Sequence, residues 1–445
     1  MLRMGVGAKR HAKIVTSAFA ERMDMAPKES RGVIQAWSAR GAEWLEHQQN
    51  RSVAVKPGKH LDWTSLNATT LPQAGVLHLS ARADHGGGPK HIKSLLDEWP
   101  GQCRAAVACP RDEPYWSKFA GHSKTRGMFE LPHRRFDLAA AWRLRRWVTE
   151  QGFTLLHAHG KGASLYARFA TAGTSVPVVY TPHGIHTGQY GSITKRAYLG
   201  FERTTRRLLS GIIFVSQGER LEAERLNLWP DLPRWVVPNG VAVPHLDNVQ
   251  ASRAEIRGRL RLDDAQPFVL TATRFDYQKN MEAALAIARA CPEITFGWLG
   301  EGPDREDLSC IAARQGVSNV CFLGAVDDPE PYFAAADIYL SSSRWEGMPL
   351  AVIEAMAHGV PVVASDVVGN RDLVEHEKSG LLYHCGEVSA AAAALQRLAG
   401  DAALRRALGS YARRLQRANH SVGAMARDTW AVYQRVWREC ASQPE

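Results

Sequence analysis

Two glutamates eight positions apart, Glu346 and Glu354, carry the most informative chemistry in this sequence. They lie in the run Ser343-Arg344-Trp345-Glu346-Gly347-Met348-Pro349-Leu350-Ala351-Val352-Ile353-Glu354, followed by Gly359, Pro361 and an apolar stretch. That order reads as strand end, glycine loop, helix and next strand, with Pro349 predicted at the first helical position and Gly359 and Pro361 at its close. Eight positions are about two helical turns, so both carboxylates can point into one cleft. The loop of Gly347, Met348, Pro349 and Leu350 opens a helix whose first amides lack partners, which suits an anion such as a pyrophosphate.

A departing diphosphate gains negative charge, and Arg274 and Lys279 in Thr273-Arg274-Phe275-Asp276-Tyr277-Gln278-Lys279-Asn280 could stabilise it. No D-x-D triplet occurs in the chain, so the usual metal-chelating carboxylate pair is missing and no metal is expected. Gly86, Gly87 and Gly88 follow another apolar run, where glycine lets the backbone approach a ligand closely. They do not form G-x-G-x-x-G, so no dinucleotide fingerprint is present. In Tyr180-Thr181-Pro182-His183-Gly184-Ile185-His186, His183 is placed to reach into a cleft, with His186 the second choice. His157 and His159 read as satisfied strand-edge histidines, and no histidine shows metal-ligand spacing. Gly300 and Gly302 end a further apolar run and would serve a tight turn or a pocket wall.

The elements that must position these residues are short apolar runs alternating with amphipathic segments from Gly75 onward, the pattern of parallel sheets with crossover helices. Strands are expected over 76–80, 105–109, 154–158, 176–181 and 212–216, with a possible short edge at 236–238. A second set is expected over 268–273, 295–299, 320–323, 338–341, 362–365 and 381–383. The expectation is an α/β protein with two Rossmann-like doubly wound parallel-sheet domains facing across a cleft. We divide it as a poorly ordered extension at 1–73 with a helix possible over 30–49, a first domain at 74–240, and a second at 241–421. A packing helix at 422–445 completes the chain.

The E-x7-E element, with its glycines, proline and flanking strands, and the Arg274/Lys279 pair resemble a large family of retaining glycosyltransferases. These are the GT-B, family 4 or group 1 enzymes, which include many polysaccharide, lipopolysaccharide and phosphatidylinositol mannosyl transferases. The resemblance runs from about Gly75 to about Glu439. It implies that Glu346 contacts the donor sugar, that Glu354 contacts the ribose, and that Arg274 and Lys279 clamp the diphosphate. It further implies a hydrogen bond from His183 to the transferred sugar, contact of Gly86, Gly87 and Gly88 with donor phosphate or acceptor, and a base pocket lined by Gly300 and Gly302. Thr273 departs from the family's usual glycine, and Val368 and Asp372 depart from its usual glycine and glutamate. The implied reaction moves a hexose or N-acetylhexosamine from a nucleoside-diphosphate sugar, UDP first, to a lipid-linked or polysaccharide acceptor in cell-surface glycan synthesis. The sugar nucleotide is then a substrate, and no cofactor is expected. A sugar-nucleotide epimerase of the same fold is the nearest rival.

A formal net charge of +10 points to anionic partners, with basic residues crowded over 124–146 and 195–207. Trp142 and Trp147 alternate with Arg143, Arg145 and Arg146 at helical intervals, as in an interfacial helix, so an anionic membrane surface is an expected partner. Nucleic acid is not expected, because helix-turn-helix, zinc spacing and an aromatic RNA platform are all missing. The seven cysteines have neither framework nor ligand spacing, and no secretory signal or span of ~18 apolar residues is visible. The expected location is the cytoplasm, peripheral on the inner face of the membrane.

Overall fold

A computed structural model describes residues 75–101, 103–188, 190–244, 246–263 and 265–441. The extension at 1–73 and its helix over 30–49 lie outside the described residues. The first sheet holds seven parallel strands: β1 (Gly75–Ser80), β2 (Arg104–Cys109), β3 (Thr125–Glu130), β4 (Leu155–His159), β5 (Val178–Thr181), β6 (Gly211–Phe214) and β7 (Arg234–Val236). Their spatial order is β3-β2-β1-β4-β5-β6-β7. The second holds six: β8 (Phe268–Ala272), β9 (Thr295–Leu299), β10 (Val320–Gly324), β11 (Ile338–Ser341), β12 (Val362–Ser365) and β13 (Gly380–Tyr383), in the order β10-β9-β8-β11-β12-β13. Each sheet reverses its strand order once, between β1 and β4 and between β8 and β11. A crevice opens beyond the strand ends at such a point.

Central strands are buried along their whole length, as β1 is, because helices cover both faces and the sequence answers with continuous apolar runs. Strand β3 was not expected: its Thr-Arg-Gly-Met-Phe-Glu sequence sits at the sheet edge, half exposed, so no apolar run marks it. The basic stretch over 124–146 therefore begins with a strand.

The chain leaves the first sheet through Asn239 and Gly240 and returns beside the same point, where Val241 pairs with Ser421. Gly240 is required there, since a Cβ would lie 2.2 Å from the Ser421 carbonyl oxygen. The final helix, Val422–Ala441, then packs on the first sheet. Met425, Val432, Tyr433 and Val436 are buried against Val76, Leu95 and Val179. Each such side chain contributes about 1.5–3 kcal/mol by leaving water. The Trp437 indole donates to the Thr154 carbonyl at 3.0 Å.

Candidate functional site

A cleft of about 1230 Å³ opens at the two sheet reversals. His186 apart, it is lined by the residues singled out for donor or catalytic work: Gly86, Gly87, Gly88, His183, Arg274, Lys279, Gly300, Gly302, Glu346, Gly347, Met348, Pro349, Leu350 and Glu354. The walls touch. The Lys90 ammonium bonds the Glu354 carboxylate, the Asn239 amide donates to the Met348 carbonyl at 2.7 Å, and a Cβ on Gly347 would meet the backbone of His183 and Gly184 at 2.9 Å. His186 does not line the cleft; its ring stacks on Trp345 at 4.8 Å.

The two cations stand on a loop clipped to the glutamate loop. Arg344 donates its amide to the Gln278 carbonyl at 2.8 Å, and the Ser342 hydroxyl donates to the Lys279 carbonyl at 2.9 Å. Lys279 Nζ reaches Glu346 Oε1 at 2.5 Å, and the Ser343 hydroxyl donates to the same oxygen at 2.6 Å. Arg274 pairs with Asp276 at 2.8 Å. Burial, with Arg82 close by, lowers the Arg274 guanidinium below its ordinary value, and Asp276 only partly offsets this. Gly300 and Gly302 hold the loop in place: Cβ atoms there would lie 1.8 Å from the Thr273 carbonyl oxygen and 2.2 Å from that of Phe275. Gly300, with φ of 137°, thus leaves room for the Thr273 backbone.

Helix Leu350–His358 starts at the cleft with no side chain capping it, so its first-turn amides are open to an anion. Pro349 is its N-cap residue, one position before the expected one, because its ψ of 120° is extended. Glu354 lies one turn in, on the cleft side. From the opposite wall, helix Gly87–Asp97 starts behind Gly86, also without a side-chain cap. A Cβ on Gly86, Gly87 or Gly88 would meet no atom closer than 3.8 Å. The protein's own packing does not demand glycine at these positions, and the space stays open to a ligand.

Behind His183 lies a group of histidines with no sequence spacing to announce it. His183 Nε2 is 3.1 Å from His159 Nδ1, and His159 Nε2 is 3.2 Å from His78 Nδ1. His157 bonds the Tyr433 and Thr181 hydroxyls at 2.5 and 2.8 Å, as a satisfied core histidine would. Burial lowers all of them: His78 to about 3, His91 to about 4, and His157, His159 and His183 well below the ordinary range. They are neutral at pH 7. Two triads, His78/His157/His159 and His91/His159/His183, bring one nitrogen each within 4.8 Å and could hold a metal ion. Ring-to-ring hydrogen bonds join His78 to His159 and His159 to His183, whereas His157 and His91 bond to Tyr433, Thr181 and Asn239. His183 itself has φ of 57°, and the Gly184 amide after it is held by the buried Glu219 carboxyl, whose value burial raises to about 7. Sequence reasoning missed Glu219, His78 and the Lys90–Glu354 pair. Lys90 follows the three glycines, but nothing local pointed to a partner so distant in sequence.

Residues 85–243 match the family Glycosyltransferase Family 4, and residues 252–415 match Glycosyl transferases group 1. The phosphatidyl-myo-inositol mannosyltransferase of Mycobacterium leprae is 30% identical over 312 residues, which cover 68% of this chain and 79% of the relative. The chain is a group 1 glycosyltransferase. The UDP-Gal:alpha-D-GlcNAc-diphosphoundecaprenol alpha-1,3-galactosyltransferase of Escherichia coli is 25% identical to this glycosyltransferase over 280 residues, covering 60% of it and 72% of the relative. Among solved structures, Anabaena Alr3699/HepE in complex with UDP and glucose shares the glycosyltransferase's GT-B fold. That comparison gives a TM-score of 0.71 at 20% identity, over 81% of this chain and 99% of the other. No helix of the described residues is long and apolar enough to cross a membrane.

Proposed function

We propose that this glycosyltransferase moves a hexose or N-acetylhexosamine from a nucleoside-diphosphate sugar to a lipid-linked or polysaccharide acceptor, with retention and without a metal. The observation that carries this reading is the convergence of Arg274, Lys279, Glu346 and the open amides at Leu350 on one cleft. The diphosphate rests on the two cations and the amides from Gly347 to Leu350, and Glu354 takes the ribose. The acceptor oxygen bonds to the anomeric carbon on the face from which the phosphate oxygen departs, and its proton passes to that phosphate. Neutral His183 serves as a hydrogen-bond partner for the sugar rather than as a cation. UDP is the first base to test, since the HepE structure holds UDP and glucose. Thermal-shift titration with UDP-, GDP- and ADP-sugars checks the reading. A donor at 100 times its Kd stabilises the fold by about 2.7 kcal/mol. No shift with any of them, or transfer abolished by EDTA, would refute it.

We further propose that the enzyme docks on an anionic membrane at the cytoplasmic face, in cell-surface glycan synthesis. Helix Leu138–Gln151 is capped by the Asp137 side chain and leaves Leu138 and Trp142 more than half exposed beside Arg143 and Arg146. Ile193, ahead of Lys195 and Arg196, is 85% exposed. Such a mixture of apolar tips and guanidinium groups suits the headgroup layer. Co-sedimentation with vesicles containing phosphatidylglycerol should fall when Trp142→Ser is introduced; equal binding to neutral vesicles contradicts it.

A further inference from the structure

The first-domain wall of the cleft carries more positive charge than its own carboxylates neutralise. Two loops and the start of helix Lys161–Thr171 meet at Ala81. Arg82 follows it in the chain, the Arg134 amide donates to the Ala81 carbonyl at 3.2 Å, and Gly162 packs so tightly that a Cβ there would lie 2.8 Å from the Ala81 Cβ. Arg82, Arg134 and Lys161 consequently stand around one part of the cleft lining. Among the described residues, Asp84 is the carboxylate that pairs with them. Arg82 holds it through two bonds of 2.7 and 2.6 Å, and Arg134 Nη2 reaches the same carboxylate only at 4.0 Å. Lys161 turns to phenols, bonding the Tyr190 hydroxyl at 3.0 Å and lying 4.3 Å from the Tyr198 ring centroid. Two guanidinium groups thus share one carboxylate, and among the described residues Lys161 has no carboxylate partner.

The nearby Asp112 carboxylate does not offset the surplus, because it is taken by His133, whose Nδ1 lies 2.5 Å away, and by the Ala83 amide, which donates to it at 3.3 Å. Burial would raise the Asp84 carboxyl, but Arg82, Arg134 and Arg274 outweigh it and hold it below the ordinary range. Those three guanidinium groups are therefore within electrostatic reach of one another. Arg134 is also held at φ of 48°, a backbone conformation that residues with side chains rarely adopt, and such strain tends to persist where a side chain must be aimed.

We infer that Arg82 and Arg134, flanked by Lys161, form a second oxyanion subsite that holds a phosphate carried by the acceptor, near the hydroxyl that receives the sugar. This rests on the reading that Arg274, Lys279 and the Leu350 amides take the donor's diphosphate from the other wall. With that charge already met, a surplus opposite them fits a second anion. Guanidinium forks match phosphate oxygens in pairs and stay charged at any working pH.

The test uses the full chain saturated with UDP and titrates inorganic phosphate and phenyl phosphate by calorimetry. Wild type should bind both, with affinity at least tenfold lower in Arg134→Gln and Arg82→Gln, whose UDP affinity stays within about twofold of wild type. Absence of phosphate binding to the UDP-loaded wild type overturns the subsite. So does a loss of UDP affinity as large as that of Arg274→Gln, which would give the pair to the donor's own diphosphate. If Arg82→Gln fails to fold because Asp84 loses its partner, Arg134→Gln, whose contact there is long, carries the test. The titration is repeated without UDP. A wild type that ignores UDP yet loses phosphate affinity on Arg134→Gln would retire the donor assignment and keep the subsite.

Discussion

Replacing Lys279 by methionine separates two jobs of that side chain. In the unliganded cleft it neutralises Glu346, whose side chain is only 6% exposed, so the substitution strands a buried carboxylate. Breaking a dry ion pair by removing one partner costs about 3–5 kcal/mol. Here Glu346 keeps the Ser343 hydroxyl at 2.6 Å, and the Lys279 side chain, 17% exposed, already meets cleft water. Those terms bring the cost to about 2 kcal/mol. For a domain of about 150–250 residues, that lowers Tm by roughly 4–8 °C. Adding Glu346→Gln removes the stranded charge and should return most of the loss. Turnover should not return. A fixed cation where charge develops in the transition state is worth on the order of 10²–10³ in kcat. Calorimetric melting and initial rates on both variants decide the matter. If Lys279→Met keeps more than about a tenth of wild-type kcat, or if the double variant regains turnover along with stability, the clamp is wrong.

Two further outcomes follow from the same structure. His78, His91 and His186 are neutral in the fold, lowered by burial to about 3, 4 and 4, and take up protons on unfolding. Their contribution to stability is complete above the unfolded value near 6.5 and drains as pH falls toward 4, by ~1.4 kcal/mol per histidine per pH unit. Glu219, raised to about 7, acts in the opposite sense, contributing fully below about 4.5 and losing that contribution as pH rises through 7. The three histidines outnumber it, so the urea midpoint should drop between pH 7 and pH 5; an unchanged or higher midpoint contradicts their burial as neutral rings. Gly300→Ala should cost more than ~3 kcal/mol, since its Cβ would lie 1.8 Å from the Thr273 oxygen at a φ of 137°. Gly88→Ala, with no atom within 4 Å, should melt within a degree or two of wild type yet transfer sugar more slowly. Equal melting temperatures for the two variants would refute the crowding argument.

Most of the strands and the main candidate residues were legible because those residues sit near the carboxyl ends of buried strands, where an apolar run stops and polar chemistry begins. Arg274 follows β8, and Glu346 follows β11 by five positions. Strand β3 was illegible for the converse reason: an edge strand needs no continuous apolar face, and its register against β2 shifts between Ala105 and Val107. Gly300 and Gly302 could be located but not interpreted. Their demand for glycine comes from the backbone of Thr273 and Phe275 crossing behind them, which spacing does not reveal. The histidine cluster gathers His78 from β1, His91 from helix Gly87–Asp97, His157 and His159 from β4, and His183 beyond β5. Only the sheet order brings them together. The Lys90–Glu354 contact likewise exists only because the two domains close on each other.

The structure of the full chain crystallised with UDP tests the account most directly. The account predicts diphosphate oxygens within hydrogen-bonding distance of Arg274, Lys279 and the amides between Gly347 and Leu350, with the ribose on Glu354. A nucleotide bound with its phosphates away from both cations, or a cleft that stays empty at saturating UDP, would contradict it.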